Sequence, residues 1–168
     1  MSSLKSLIAV LAGSASAGLL ACPAIAESGH EAESGHHADF KPHAVVGVFV
    51  GATSFEDSTE PTYGLEAEYR LTERVGLGAV IEHSPEDDHG YEANQLLFIA
   101  NYHTDMGLRF LAGAGREYSH GHEVPVWRVG AAYDFHAGDF HISPTVAMDY
   151  LEDKENAVFG IVFAKAFK

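Results

Sequence analysis

The sequence predicts an all-β fold, an eight-stranded antiparallel up-and-down transmembrane β-barrel, and three observations predict it. From about residue 43 to the end, large apolar residues recur at every second position, the period of a strand with two unlike faces. The opposite positions carry Gly47, Gly51, Gly64, Gly76, Gly78, Gly113, Gly115, Gly130 and Gly160 together with charges. The connections alternate between tight turns and longer polar loops, as they do in barrels of the bacterial outer membrane. Glycine weakens a strand, so a water-facing surface has little reason to collect it, whereas the crowded interior of a narrow eight-stranded barrel does. With the apolar face outside and the polar face inside, the surrounding solvent has to be lipid.

The first 26 residues read as a secretory signal peptide: Lys5, an apolar stretch from Leu7 to Ala21, then the small-x-small triplet Ala24-Ile25-Ala26. The stretch is too short for a transmembrane helix. Leu19-Leu20-Ala21-Cys22 offers a rival processing site, a lipobox with Cys22 as the acylated residue. Cys22 is the sole cysteine, so cleavage after Ala26 leaves a chain without thiol or disulfide chemistry. Residues 27–42 repeat Glu-Ser-Gly-His and hold few bulky apolar groups, which predicts a flexible tail rich in histidine and acid.

The barrel occupies residues 43–168. Strand one, about 43–55, sets Ala44, Val46, Val48, Val50 and Ala52 on the outer face. Strand two, about 62–72, sets Tyr63, Leu65, Ala67, Tyr69 and Leu71 against Gly64, Glu66, Glu68 and Arg70. Strand three, 75–84, puts Leu77 and Ile81 out and Gly76, Gly78 and Glu82 in; strand four, 92–103, is less clear, with Leu96, Phe98 and Tyr102 opposed to Gln95, Leu97, Ile99, Asn101 and His103. Strands five and six, 108–118 and 125–135, place Arg109, Glu117, Arg128 and Asp134 inside. Strand seven, 140–151, turns His141, Ser143 and Asp149 inward, and strand eight, about 157–167, alternates Phe159, Ile161, Phe163 and Phe167 with small residues. A hairpin turning at Gly121 would bring Glu117 near Arg128 and Arg109 near Asp134. Short turns follow the even strands, and the longer loops Glu56–Pro61, Ser84–Gly90, Ser119–Glu123 and Glu152–Glu155 follow the odd ones. Tyr63, Tyr91, Tyr118, Trp127 and Tyr150 fall near the loops, and Tyr102, Tyr133, Phe135, Phe140 and Phe167 near the turns, two levels that suit membrane–water boundaries.

Over roughly 43–168 these alternating strands, ending on the aromatic Phe167, resemble the small eight-stranded bacterial outer-membrane β-barrel family. The resemblance implies an outer-membrane protein among lipid and lipopolysaccharide, inserted by the barrel-assembly machinery. Lys168 departs from the family pattern, which ends on the aromatic itself. Such barrels include adhesins, lipid-modifying enzymes, lipopolysaccharide-interacting proteins and structural anchors, so the resemblance transfers no activity.

The chain carries a formal net charge of −14, which argues against nucleic acid as a partner and against docking on anionic lipid through a basic patch. Its eleven histidines are the compositional excess. His30, His36 and His37 in the tail, and His89, His120 and His122 with Asp88 and Glu123 in the outer loops, combine imidazole and carboxylate, donors that suit weakly held zinc, nickel or copper. No rigid ligand motif is present, and no GxSxG accompanies the same-face pair His141 and Ser143 near the turn rim. The expected role is a non-enzymatic barrel with a structural or surface-interaction function and no resident cofactor. A soluble periplasmic metal-binding barrel and a lipid-modifying barrel enzyme are the alternatives. Oligomeric state is not encoded in the pattern.

Overall fold

The structure, a computed structural model, describes residues 40–55, 58–85, 92–119 and 121–168. The expected signal peptide and nearly all of the expected tail lie outside these residues. The segments in chain order are β1 His43–Ser54, β2 Thr59–Arg70, β3 Val75–Ser84, β4 Ala93–His103, β5 Leu108–Ser119, β6 His122–Tyr133, β7 Phe135–Ala137, β8 Phe140–Tyr150 and β9 Glu155–Phe167. All pairings are antiparallel, β1 pairs with β9, and β6 and β7 both pair with β8, so the sheet closes on itself. β6 and β7 are one stave interrupted at Asp134; its backbone N–H donates to Gly107 O at 2.7 Å in register with the β5–β6 ladder, and the gap against β8 falls at Pro144, which has no N–H to donate. The closed wall therefore has eight staves, as the alternation predicts.

The faces follow the sequence. In β4 burial alternates without a break, and neighbours Leu97 and Phe98 are 0% and 67% exposed. Val46, Leu65, Leu77, Ile81, Val146 and Phe163 all lie outside. Of the two aromatic levels, every described member is exposed; Tyr91 lies outside the described residues. Lys165 is tolerated on this face because its Nζ sits 5.5 Å from the centroids of both Phe140 and Phe167. Lys168, beyond the terminal aromatic, pairs with Asp139 at 3.2 Å.

The interior is less uniformly polar than the glycine pattern suggested. Val45, Phe49, Val80, Leu97, Ile99, Leu111, Val126, Val158 and Val162 are all buried there. The glycines make room for them: a Cβ on Gly160 would lie 2.6 Å from Phe49 Cε2, so the Phe49 ring occupies the space a side chain would take. Such an interior is a packed core, and two cavities among the described residues that line it are only about 20 and 10 Å³, room for about one water each.

Two expectations about the loop rim are corrected. β2 starts at Thr59 rather than near 62, and β6 starts at His122 rather than 125. The backbone pairing continues through Thr53↔Glu60 and Ser54↔Thr59 in one hairpin and through Tyr118↔Glu123 and Ser119↔His122 in the other; in the first, Thr53 Oγ1 and Ser84 Oγ each lie 2.8 Å from Thr62 Oγ1 and tie the three strands together. As a result the connection expected over Ser119–Glu123 is a tight hairpin: Ser119 pairs with His122, and Gly121 takes φ 76°, a conformation open to glycine.

Candidate functional site

The chemistry-bearing side chains gather inside the barrel in two clusters. The loop-side cluster centres on Arg128. This residue stands across the ladder from Gly113 on one side and Asp149 on the other, so its side chain lies over a glycine and beside a carboxylate. It donates to Asp149 through Nε and Nη2 at 2.6 and 2.7 Å, to Glu82 through Nη1 and Nη2 at 2.7 and 2.6 Å, and to Gln95 Oε1 at 2.9 Å. Gln95 Nε2 passes the chain on to Glu117 Oε2 at 2.9 Å, and Glu117 Oε1 lies 3.5 Å from Lys154 Nζ. Bidentate fork-to-carboxylate bonding of this kind is the strongest polar arrangement available to a buried arginine.

The expected Glu117–Arg128 pair is thus corrected. In the ladder Glu117 lies opposite Val124, and the two charges communicate through Gln95. The expectation considered only the β5–β6 hairpin. Barrel closure brings Asp149 from β8 beside Arg128 and Glu82 from β3 across the interior.

The turn-side cluster contains the second expected pair, which does form: Arg109 Nε lies 3.4 Å from Asp134 Oδ1, and Arg109 Nη1 reaches Glu66 Oε1 at 3.4 Å. The Nε contact is close but misaligned, so Arg109 Nε makes no hydrogen bond. His103 bridges the acids, Nε2 at 2.7 Å from Glu68 Oε1 and Nδ1 at 3.3 Å from Asp134 Oδ2. Both contacts are hydrogen bonds only when both ring nitrogens carry hydrogen. Ser143 Oγ donates to Asp134 Oδ1 at 2.7 Å, so the hydroxyl of the expected His141–Ser143 pair is turned to a carboxylate. The inward acids Glu66, Glu82, Asp134 and Asp149 thus partner Arg109 and Arg128, as their same-face spacing suggests, and Glu68 lies 4.0 Å from Arg70.

Of the expected metal ligands, His30, His36, His37, Asp88, His89 and His120 lie outside the described residues. His122 and Glu123 are consecutive in β6, and consecutive strand residues point to opposite faces. Glu123 Oε1 is 3.0 Å from Arg116 Nη1. Among the described residues no group of three or more metal-donor side chains converges. Sequence reasoning passed over Gln95 as a relay, His103 as a bridge, and the cross-strand pair His136 and His141, whose ring centroids are 4.3 Å apart. The signal for the last was available: His136 and His141 flank the Gly138-Asp139 turn symmetrically.

Solved structures share this architecture. The attachment invasion locus protein Ail of Yersinia pestis superposes with a TM-score of 0.54 at 9% identity, over 75% of this chain and 97% of that one. The fold is that of the small eight-stranded outer-membrane barrels. The N-terminal β-barrel domain of Pseudomonas aeruginosa OprF matches with a TM-score of 0.51 at 17% identity, over 76% and 100% of the two chains. A de novo designed transmembrane β-barrel matches at 0.52 and 19%, over 76% and 98%. A designed barrel among the neighbours underlines that the likeness is one of fold. No protein-family model and no curated protein matches the sequence.

Proposed function

We propose that the protein is an exported, non-enzymatic barrel of the outer membrane, with a structural or surface-interaction role. One observation carries this reading: the wall is apolar on its outside all the way round, while its inside is packed and charge-paired. In water that exterior would be a large aggregation-prone surface, and in lipid it is the matching one. A filled interior leaves the rims as the places where a partner is met. At the loop rim Glu92, Glu123, Glu152, Asp153 and Glu155 are exposed, so a partner there would be basic or bridged by cations. Two structural neighbours are described as an attachment invasion locus protein and a Neisserial surface protein, which supports a surface role. Lipid and lipopolysaccharide surround the wall, and the barrel-assembly machinery inserts it.

Fractionation tests the reading. The protein should stay with outer membranes through a carbonate wash and require detergent for release. Recovery in the soluble periplasmic fraction would overturn it in favour of the soluble alternative.

A further inference from the structure

We propose that His136 and His141 form a two-imidazole site for a copper(II)-class transition-metal ion at the turn rim of the barrel. The two residues are direct cross-strand partners in the β7–β8 hairpin, whose Gly138 takes φ 68° and so allows the tight return. Direct partners project from the same face of a ladder, and here their ring centroids are 4.3 Å apart. Small rotations of the side chains bring two such rings onto one ion.

The tautomer of His136 is set by its surroundings. Its Nδ1 lies 3.0 Å from the Asp134 backbone carbonyl, which can only accept, so Nδ1 carries the hydrogen and in the neutral ring Nε2 is the nitrogen with the lone pair. A backbone carbonyl holding the far nitrogen is the support that metal-ligating histidines generally have. His141 is 9% exposed and lines the small cavity shared with Asp134 and Ser143, yet no hydrogen bond to its ring occurs among the described residues. The pair thus presents one oriented lone pair and one unpartnered, nearly buried imidazole. His136 is open to solvent, which provides a path for an ion and water for the remaining coordination positions.

Two neutral imidazoles side by side, with no protein ligand of another kind converging on them, favour copper(II) over nickel(II) and zinc(II), following the general affinity order. The charged groups around His141 are Asp134 between β6 and β7, Arg70 on β2 and Arg109 on β5. The arginines are opposed by Glu66, Glu68 and Asp134, so the site does not face uncompensated positive charge. The site is separate from the histidines of the tail and of the outer loops.

Copper(II) titration of the full chain refolded in detergent, followed by electron paramagnetic resonance, tests the site. His30, His36, His37, His89, His120 and His122 are replaced by alanine so that the tail and the outer loops do not compete. The expected result is one bound ion with two equatorial imidazole nitrogens. His136→Ala should weaken binding by at least about 10- to 100-fold and halve the nitrogen count. His83→Ala, an exposed histidine at the opposite rim, should leave both unchanged. Because His136 is exposed, its variant keeps the fold, which heat-modifiable migration on gels verifies; His136→Gln serves as a second variant. Unchanged binding in the His136 variants, an equal loss in His83→Ala, or no binding below millimolar copper in the parent would each overturn the site.

Discussion

The two interior clusters hold almost the same charges in very different states of order. On the loop side Glu82, Glu117 and Asp149 face Arg128 and Lys154; on the turn side Glu66, Glu68 and Asp134 face Arg70 and Arg109, with His103 between the acids. Arg128 makes five hydrogen bonds of 2.6–2.9 Å. Arg109 has no polar contact shorter than 3.4 Å among the described residues, and both Arg109 Nε and Arg70 Nε lack a hydrogen bond. The difference shows that counting charges on one face does not measure how well they are held. Arg128 sits where a glycine on one side and a carboxylate directly across the ladder on the other define its place. Arg109 stands opposite Ala132, and its acids come from Asp134 at the stave break and from Glu66 on β2.

The largest expected effect breaks the tighter cluster. Arg128→Leu leaves Glu82 and Asp149 buried without their cation and should lower stability by about 3–5 kcal/mol. Urea unfolding of the refolded barrel measures it as a fall in the midpoint. Arg109→Leu should cost less, about 2 kcal/mol, because it removes longer charge-assisted contacts. If the two substitutions cost the same, the difference in bond lengths has no energetic meaning.

A third variant perturbs the turn-side cluster without removing a charge. A Cβ on Gly76 would collide with the Glu68 carboxylate, and the nearest atoms it would meet all belong to that flexible side chain. Gly76→Ala should therefore push Glu68 away from His103 at a cost of about 1–3 kcal/mol. In the Glu68→Ala background the obstacle is gone, so the double variant should cost clearly less than the two single costs added. Additive costs would show that the clash lies elsewhere.

Which parts of this were legible in the sequence follows from what period-two alternation encodes. It assigns faces, so β4 alternates as expected and Arg109, Glu117, Arg128 and Asp134 all point inward. It assigns pairs only between adjacent strands and only when the turn is placed correctly. Arg109–Asp134 was found, being close along a single hairpin, whereas Glu82 reaches Arg128 across the interior, a contact that depends on the tilt and stagger of the closed wall. Phe49 falls by parity on the inner face with Gly47 and Gly51, but alternation gives only its face and not the packing of its ring against Gly160. The loop rim looks longer in the sequence than it is because Thr59, Glu60 and Pro61 have loop composition, although Thr62 has hydroxyl partners on both sides.

The smallest expected effect tests the assignment of inside and outside. Arg116 is more than half exposed and bonds Glu123 at 3.0 Å, itself nearly half exposed, near the loop rim. Water and salt screen such a pair, and the entropy of fixing two long side chains offsets most of its attraction. Arg116→Leu should therefore change stability by less than about 1 kcal/mol, and raising the ionic strength should shrink even that. Arg128 and Arg116 belong to strands that are paired to each other, so the two substitutions differ mainly in which side of the wall they touch. Unfolding midpoints measured side by side should show Arg128→Leu well below the parent and Arg116→Leu close to it. Equal shifts would mean that the interior is wet enough to screen its charges like a surface, and the packed, charge-paired core would have to be abandoned.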